Sequence, residues 1–181
     1  MNDLAMHILD IIQNSLSAGA ILVKLTVEED GPSDRLEIII EDNGCGMNKE
    51  QVERLTDPFF TSRTTRKVGM GIPLLKQSAE QSGGGIEIKS EVGVGTYVRA
   101  WFKMSHIDRP PLGDVANAFI LTVSANPEKD FILRYIIGRG EYVFDTIEIK
   151  EALEGTPLND ASVIRILTEM IKENIKDLRD E

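Results

Sequence analysis

The run Asp42-Asn43-Gly44-Cys45-Gly46-Met47 constrains the fold of this chain more than any other stretch. Residues 35–41 before it are β-branched and nearly continuous, which predicts a sheet strand covered on at least one face. Asp42 then lies at the mouth of that strand. The two glycines let backbone approach a flat ligand, and a carboxylate accepts a hydrogen bond from an exocyclic amine. Asp-Asn-Gly is also a common turn, so the run alone fits either role.

Composition excludes several classes of function. The net charge of −10 without a run of Lys or Arg argues against a general binder of nucleic acid or of anionic membranes. The sequence has neither a signal-peptide pattern nor an apolar run of bilayer length, so we expect a soluble cytoplasmic protein. The single cysteine, Cys45, excludes an internal disulfide, and we interpret it as a small buried filler.

The first predicted helix covers residues 4–18. At 100° per residue, His7, Asp10 and Asn14 fall on one strip beside its apolar face. A solvated helix face is the simpler interpretation of three polar residues. The one-turn spacing of Asp10 and Asn14 also suits a general base followed by an amide oxygen that ligates Mg²⁺.

A loop rich in hydroxyls and cations covers residues 57–71 and precedes a helix predicted over residues 72–82. Its closing Gly69-Met70-Gly71 can present backbone N–H groups and the positive end of the helix dipole to phosphates. Arg63, Arg66 and Lys67 would neutralise the phosphate charge. An ordinary flexible cationic loop is the alternative.

The remaining strands of this part are predicted over residues 21–29, 86–92 and 96–103, and a short capped helix over residues 49–55. Together they predict an α+β fold, an open mixed sheet with helices on one face.

These motifs, in this order, resemble those of the GHKL family of ATP-binding domains, which comprises gyrase B, the heat-shock chaperone, histidine kinases and MutL. The resemblance covers residues 4–103. It depends on the motifs that contain Asp10 and Asn14, Asp42 to Met47, residues 57–63, Gly69 to Ile72, and Gly93 to Thr96. It implies the Bergerat-type α/β sandwich, with ATP and Mg²⁺ as ligands.

The resemblance also implies roles for single residues. Asp42 would bind the adenine amino group with help from Thr96, Met47 would line the ring, and Asn14 would hold the metal ion. Asp10 stands where hydrolysing members carry a glutamate, and its shorter side chain predicts slow hydrolysis. The implied nucleotide-site residues are Asn14, Asp42, Gly44, Gly46, Met47, Phe59, Thr61, Ser62, Arg63, Lys67, Gly69, Met70, Gly71 and Thr96.

Two departures from the family pattern are visible in the sequence. Family domains usually have a strand before the first helix, and here we expect a later strand to fill that edge. No dimerising helix pair precedes the ATP-binding motifs, so we expect something other than an ordinary complete sensor kinase. Residues 105–112 resemble a phosphoacceptor box around His106, but two prolines and an unusual position favour a linker.

We divide the chain into a GHKL-type domain (1–104), a linker (105–117) and a small α+β appendage (118–181). In the last segment we predict strands over residues 118–124, 131–137 and 141–145, a short helix over 147–154, and an amphipathic helix over 160–178 whose apolar stripe faces a core.

Two functions follow as alternatives. One is an enzyme that hydrolyses Mg-ATP slowly or transfers its phosphate to a partner protein, as a stand-alone or anti-sigma-like kinase does. The other is a non-catalytic binding module that ATP switches between shapes. Both imply a protein partner and leave a homodimer open, and neither requires nucleic acid or a membrane.

Overall fold

In this computed structural model, residues 3–57 and 71–181 are described, and they form a mixed sheet with a layer of helices against one face. The helices are α1 (Leu4–Ser17), α2 (Lys49–Leu55), α3 (Gly71–Gln81), α4 (Val115–Ala125), α5 (Thr146–Ala152) and α6 (Ala161–Asp180). The strands are β1 (Leu22–Asp30), β2 (Arg35–Asp42), β3 (Gly85–Glu91), β4 (Gly95–Lys103), β5 (Asp130–Ile137) and β6 (Gly140–Asp145). Their order in the sheet is β3-β4-β2-β1-β5-β6, and β1 and β5 are parallel.

Helix α1 lies against the sheet because its apolar residues recur at helical spacing. Leu4, Ile8, Ile11 and Ile12 are all buried. The helix begins where the Asp3 carboxylate accepts a hydrogen bond from the N–H of Met6 at 2.9 Å, as expected of an N-cap.

The sheet buries alternate residues of its central strands under the helices. In β1 and β5 these inward residues are Val23, Leu25, Val27, Phe131, Leu133 and Tyr135, each at most 1% exposed. They belong to one hydrophobic core that also contains residues of α1, α3, α4 and α6. The predicted α+β class with helices on one face is therefore confirmed.

The C-terminal segment continues the sheet. Strand β5 pairs in parallel with β1 from Leu22 opposite Asp130 to Glu29 opposite Ile137, which confirms that a later strand fills the edge beside β1. The apolar stripe of α6 faces the core, with Leu167 and Ile171 buried. The division into 1–104, 105–117 and 118–181 stays a prediction about units that fold independently.

The prediction of a strand over residues 118–124 is wrong, because these residues lie within helix α4. The side chain of Asp114 accepts a hydrogen bond from the N–H of Asn117 at 3.0 Å and caps the helix. Most of α4 is buried between α1, α6 and the sheet, so it is apolar on nearly every side. Its sequence therefore lacks the helical spacing of apolar and polar residues that would distinguish it from a buried strand.

None of the helices among the described residues is both long and apolar enough to cross a bilayer.

Candidate functional site

A cavity of about 280 Å³ lies between α1, the turn after β2, helix α2 and the start of α3. Its walls are mainly apolar, while Ser15, Asp42 and Thr96 contribute oxygen atoms. The lining residues are Ile11, Asn14, Ser15, Ser17, Ala18, Asp42, Cys45, Gly46, Met47, Gln51, Leu55, Ile72, Thr96 and Val98. The structure thus places five of the predicted site residues, Asn14, Asp42, Gly46, Met47 and Thr96, around one space.

The Asp42 carboxylate is held by two hydrogen bonds. Ser15 Oγ donates to Oδ2 at 2.6 Å, and the N–H of Gly44 donates to Oδ1 at 2.8 Å. Asp42 also lies opposite Thr96 in the pairing of β2 with β4. The carboxylate therefore has a fixed position on the cavity side of the sheet, and both oxygens keep lone pairs that can accept further bonds.

The glycine at position 46 serves the packing of the turn. Its φ is +69°, and a Cβ there would lie 1.9 Å from the backbone oxygen of Glu91 at the end of β3. Only glycine permits this contact between the turn and the β3–β4 hairpin. The prediction that Cys45 is a buried filler is wrong, because its side chain is exposed and lines the cavity.

Ser90, which the sequence reasoning missed, joins three parts of the site. Its Oγ accepts a hydrogen bond from the N–H of Met47 at 2.8 Å, donates to the backbone oxygen of Gly95 at 3.0 Å, and lies 2.8 Å from Thr96 Oγ1. The available signal was a hydroxyl on the same strand face as Ile86 and Ile88. Ser15 gave a similar signal, since it follows Ile11 by one helical turn.

Asp10 lies against the first residue of α3. A Cβ on Gly71 would be 1.6 Å from Asp10 Oδ2, so the carboxylate occupies the space that any other residue at position 71 would fill. Asp10 is half-buried, and this burial raises the pKa of its carboxyl above the ordinary value. A raised pKa makes the carboxylate a stronger base.

The polar strip of α1 is only partly shared with the cavity. Asn14 lines it, and Asp10 lies at the start of α3. His7 is only 2% exposed, its Nδ1 has no hydrogen-bond partner among the described residues, and burial lowers its pKa. His7 therefore belongs to the core.

Seven predicted site residues lie outside the described residues. They are Phe59, Thr61, Ser62, Arg63, Lys67, Gly69 and Met70. Their assigned place in the nucleotide site, within the loop over residues 57–71, stays a prediction.

Residues 2–106 match the family model described as "Histidine kinase-, DNA gyrase B-, and HSP90-like ATPase". Among curated proteins, 82 residues are 38% identical to the "Probable C4-dicarboxylate sensor kinase" of Bacillus subtilis, covering 45% of this chain and 15% of that protein. The chain is also 30% identical over 95 residues to the sensor histidine kinase ZraS of Salmonella typhi, and this match covers 52% of this chain and 20% of that protein. The chain thus spans a fifth or less of the length of these two relatives.

A solved structure shares the fold. The ATPase domain of Aquifex aeolicus MutL, complexed with ADP, superposes with a TM-score of 0.51 at 19% identity. The superposition covers 85% of this chain and 68% of the MutL chain, a longer stretch of this chain than residues 2–106. The likeness of fold therefore continues into the C-terminal segment.

Proposed function

Because this chain belongs to the family of histidine kinase-, DNA gyrase B- and HSP90-like ATPases, we propose that its ATP-binding domain uses the cavity at Asp42 to hold Mg-ATP and transfers the γ-phosphate slowly to water or to a partner protein. The adenine binds beside Asp42, and the phosphates extend toward Asn14 and the start of α3. Asp10 acts on the group that attacks the γ-phosphate.

The observation that carries this proposal is the polarity of the cavity. Its apolar walls, which include Ile11, Met47 and Val98, suit the faces of an aromatic base. The Asp42 carboxylate, already fixed by Ser15 and Gly44, accepts a hydrogen bond from the amino group of that base. This arrangement therefore suits an aromatic base best, because the apolar walls contact its faces and Asp42 binds the amino group at its edge.

The donor set also fits Mg²⁺ that arrives with the nucleotide. Mg²⁺ commonly keeps several waters and takes its other ligands from phosphates and one or two protein oxygens. Asn14 supplies one amide oxygen at the cavity wall. Among residues 3–57 and 71–181, no group of three or more His, Cys, Asp or Glu is placed to hold a metal ion independently. Bound there, the ion would neutralise phosphate charge.

Asp10 is the general base of the proposed transfer. Its carboxylate takes a proton from the attacking hydroxyl or water while the bond between the γ-phosphorus and the ADP oxygen breaks. The N-terminus of α3, which begins at Gly71 beside Asp10, favours negative charge at the phosphates. Asp10 takes the place that glutamate has in hydrolysing members, and its shorter side chain is the reason we expect slow transfer.

His106 is an unsuitable acceptor for phosphate bound in its own chain. A Cβ on Gly83 would lie 3.7 Å from His106 Cδ2, so the imidazole packs just beyond the C-terminal end of α3. Eleven helical residues span roughly 16 Å, and Asp10 lies at the opposite end of this helix. We therefore propose water or a second molecule, and not His106 of the same chain, as the acceptor.

A partner protein as acceptor is supported by the relatives, which are named as sensor kinases. The experiment that tests this is incubation with γ-labelled Mg-ATP, alone and with candidate partner proteins, scored for label on protein against free phosphate. Label on a partner supports a kinase, and slow release without a partner supports an ATPase. If wild type yields neither, the remaining candidate is the nucleotide-switched binding module.

Glycine at position 71 should be required for activity but not for folding. In Gly71→Ala the methyl group displaces the Asp10 carboxylate, and misplacing a catalytic group by about 1 Å costs on the order of 100-fold in rate. The φ of Gly71 lies outside the left-handed region, so alanine fits the backbone and stabilises by about 0.4–1 kcal/mol through the unfolded state, and thermal unfolding should not move downward. Phosphate release and thermal unfolding measure the two effects.

The matched control is Gly31→Ala, since a Cβ at Gly31 would have no heavy atom within 4 Å. It should leave phosphate release unchanged. Equal release from both variants would contradict the role given to the contact between Asp10 and Gly71.

Cys45 offers a test of the cavity without any substitution. It is the one cysteine of the chain and lines the cavity, so a maleimide reagent labels a single known position. Nucleotide at about ten times its Kd leaves about one site in eleven free, so labelling should slow about tenfold. Mass spectrometry of timed samples gives the rate. Labelling in denaturant is the control, and a rate that ATP leaves unchanged in the folded protein would place the nucleotide elsewhere.

A further inference from the structure

We propose that Ser90 determines the base specificity of the cavity by fixing the proton of the Thr96 hydroxyl, so that Thr96 can only accept a hydrogen bond from the base. This inference rests on the proposed function, because it takes the base of a nucleotide to lie at Asp42. It makes Ser90 a positioning residue that acts on the ligand through Thr96.

The argument begins with the hydrogen-bonding capacity of Ser90. A serine hydroxyl has one proton to donate and two lone pairs that accept. Ser90 donates its proton to the backbone oxygen of Gly95 at 3.0 Å, and one lone pair accepts the N–H of Met47 at 2.8 Å. One lone pair remains, and Thr96 Oγ1 lies 2.8 Å away.

These two bonds determine which hydroxyl donates in the contact between Ser90 and Thr96. Ser90 has no second proton, so the bond between the two hydroxyls is donated by Thr96. The Thr96 hydroxyl then has only lone pairs left for a ligand in the cavity that it lines. Without Ser90, the same hydroxyl would be free to rotate and to donate.

The neighbouring groups have the same polarity. The Ser15 hydroxyl donates its proton to Asp42 Oδ2 at 2.6 Å, and Asp42 is opposite Thr96 in the pairing of β2 with β4. Ser15, Asp42 and Thr96 therefore offer three neighbouring acceptors to a ligand at this part of the cavity.

Three acceptors select the base by its position 6. A 6-amino purine presents two N–H donors there, which can be accepted by two of these groups. A 6-oxo purine presents an oxygen, which would face lone pairs and lose its hydrogen bonds to water. Rotation of the Thr96 hydroxyl is the least costly way for this site to accommodate an oxo group, and Ser90 prevents it.

The test compares ATP with inosine triphosphate, which replaces the 6-amino group by an oxygen and carries a proton on N1. Titrations of the full chain with each Mg-nucleotide give the ratio of the two Kd values. Wild type should prefer ATP. Ser90→Ala should reduce this preference about tenfold, the effect of one hydrogen bond gained by the oxo base. Ser90→Thr keeps a hydroxyl and should keep the preference.

Each outcome decides one question. Wild type that binds neither nucleotide contradicts the proposed function, whereas wild type that binds both equally contradicts only the inference about Ser90. Equal loss of both affinities in Ser90→Ala also overturns it, since anchoring the Met47 turn would then be the whole role of Ser90. If Ser90→Ala does not fold, Ser90→Cys, with its weak donor and acceptor, should reduce the preference in the same direction, and an unchanged preference overturns the inference.

A double substitution tests whether Ser90 acts through Thr96. In the background Thr96→Val there is no hydroxyl to orient, so adding Ser90→Ala should leave the ratio of Kd values unchanged. A further tenfold change in that background would show that Ser90 influences the base by another route and would overturn the inference.

Discussion

Asp42→Asn should abolish measurable ATP binding while the chain stays folded. The change turns one ligand-facing acceptor into an amide that can place an N–H₂ group against the amino group of the base. Losing a hydrogen bond to a charged group costs about 1.5–3 kcal/mol, and the unpaired donor that remains adds about 1–3 kcal/mol, so affinity should fall about 100-fold or more. The side-chain volume is conserved, and one amide oxygen can still accept from Gly44 or Ser15. Titration calorimetry measures the affinity, and circular dichroism confirms the fold.

Glu41→Gln is the matched control. Glu41 precedes Asp42 on the same strand, is exposed, and points to the opposite face of the sheet. It undergoes the same loss of charge, so its ATP affinity should equal that of wild type. Unchanged affinity in Asp42→Asn would overturn the assignment of the adenine site.

Asp10→Asn should bind ATP and fail to turn it over. An amide cannot accept the proton of the attacking group, and loss of a general base costs about 100- to 10,000-fold in rate. The same change should stabilise the fold at neutral pH. Burial raises the pKa of Asp10 in the folded state, so the ionised carboxylate lowers stability as the pH rises through that pKa, and asparagine removes this cost.

Phosphate release and thermal unfolding at pH 7 measure these two effects, with Glu80→Gln, an exposed acid in α3, as the control for charge. If Asp10→Asn releases less phosphate and unfolds at a higher temperature than wild type, Asp10 is a general base whose burial lowers the stability of the fold. Equal and negligible release from wild type and Asp10→Asn would instead favour the nucleotide-switched module.

Local signals account for what the sequence predicted well. The capping box of α2 is an example, because Asn48 and Gln51 each bond the other's backbone N–H at 2.9 Å, as their spacing predicts. The helix that carries Asp10 and Asn14 has a clear helical periodicity, and the β-branched run before Asp42 marks its strand. In each case, the residues that determine the structure are neighbours in the chain.

Contacts between distant residues account for what the sequence left open. Ser90 and Met47 are 43 positions apart, and their hydrogen bond follows from the pairing of β3 with β4 and from the close approach at Gly46. Residues 118–124 resemble a strand in sequence because helix α4 is apolar nearly all round, and its burial between neighbouring elements leaves no helical pattern of polar residues.

The pairing of β1 with β5 also has a consequence for synthesis on the ribosome. β1 emerges well before its parallel partner, which follows about a hundred residues later in the chain, since Leu22 lies opposite Asp130. Until β5 emerges, the nascent chain holds a free edge at β1, and unpaired edges recruit other strands. Once β5 has joined, β1 is an interior strand flanked on both sides. The edge of β1 therefore stays open until residues 130–137 have left the ribosome, so the sheet is completed only when the C-terminal segment emerges.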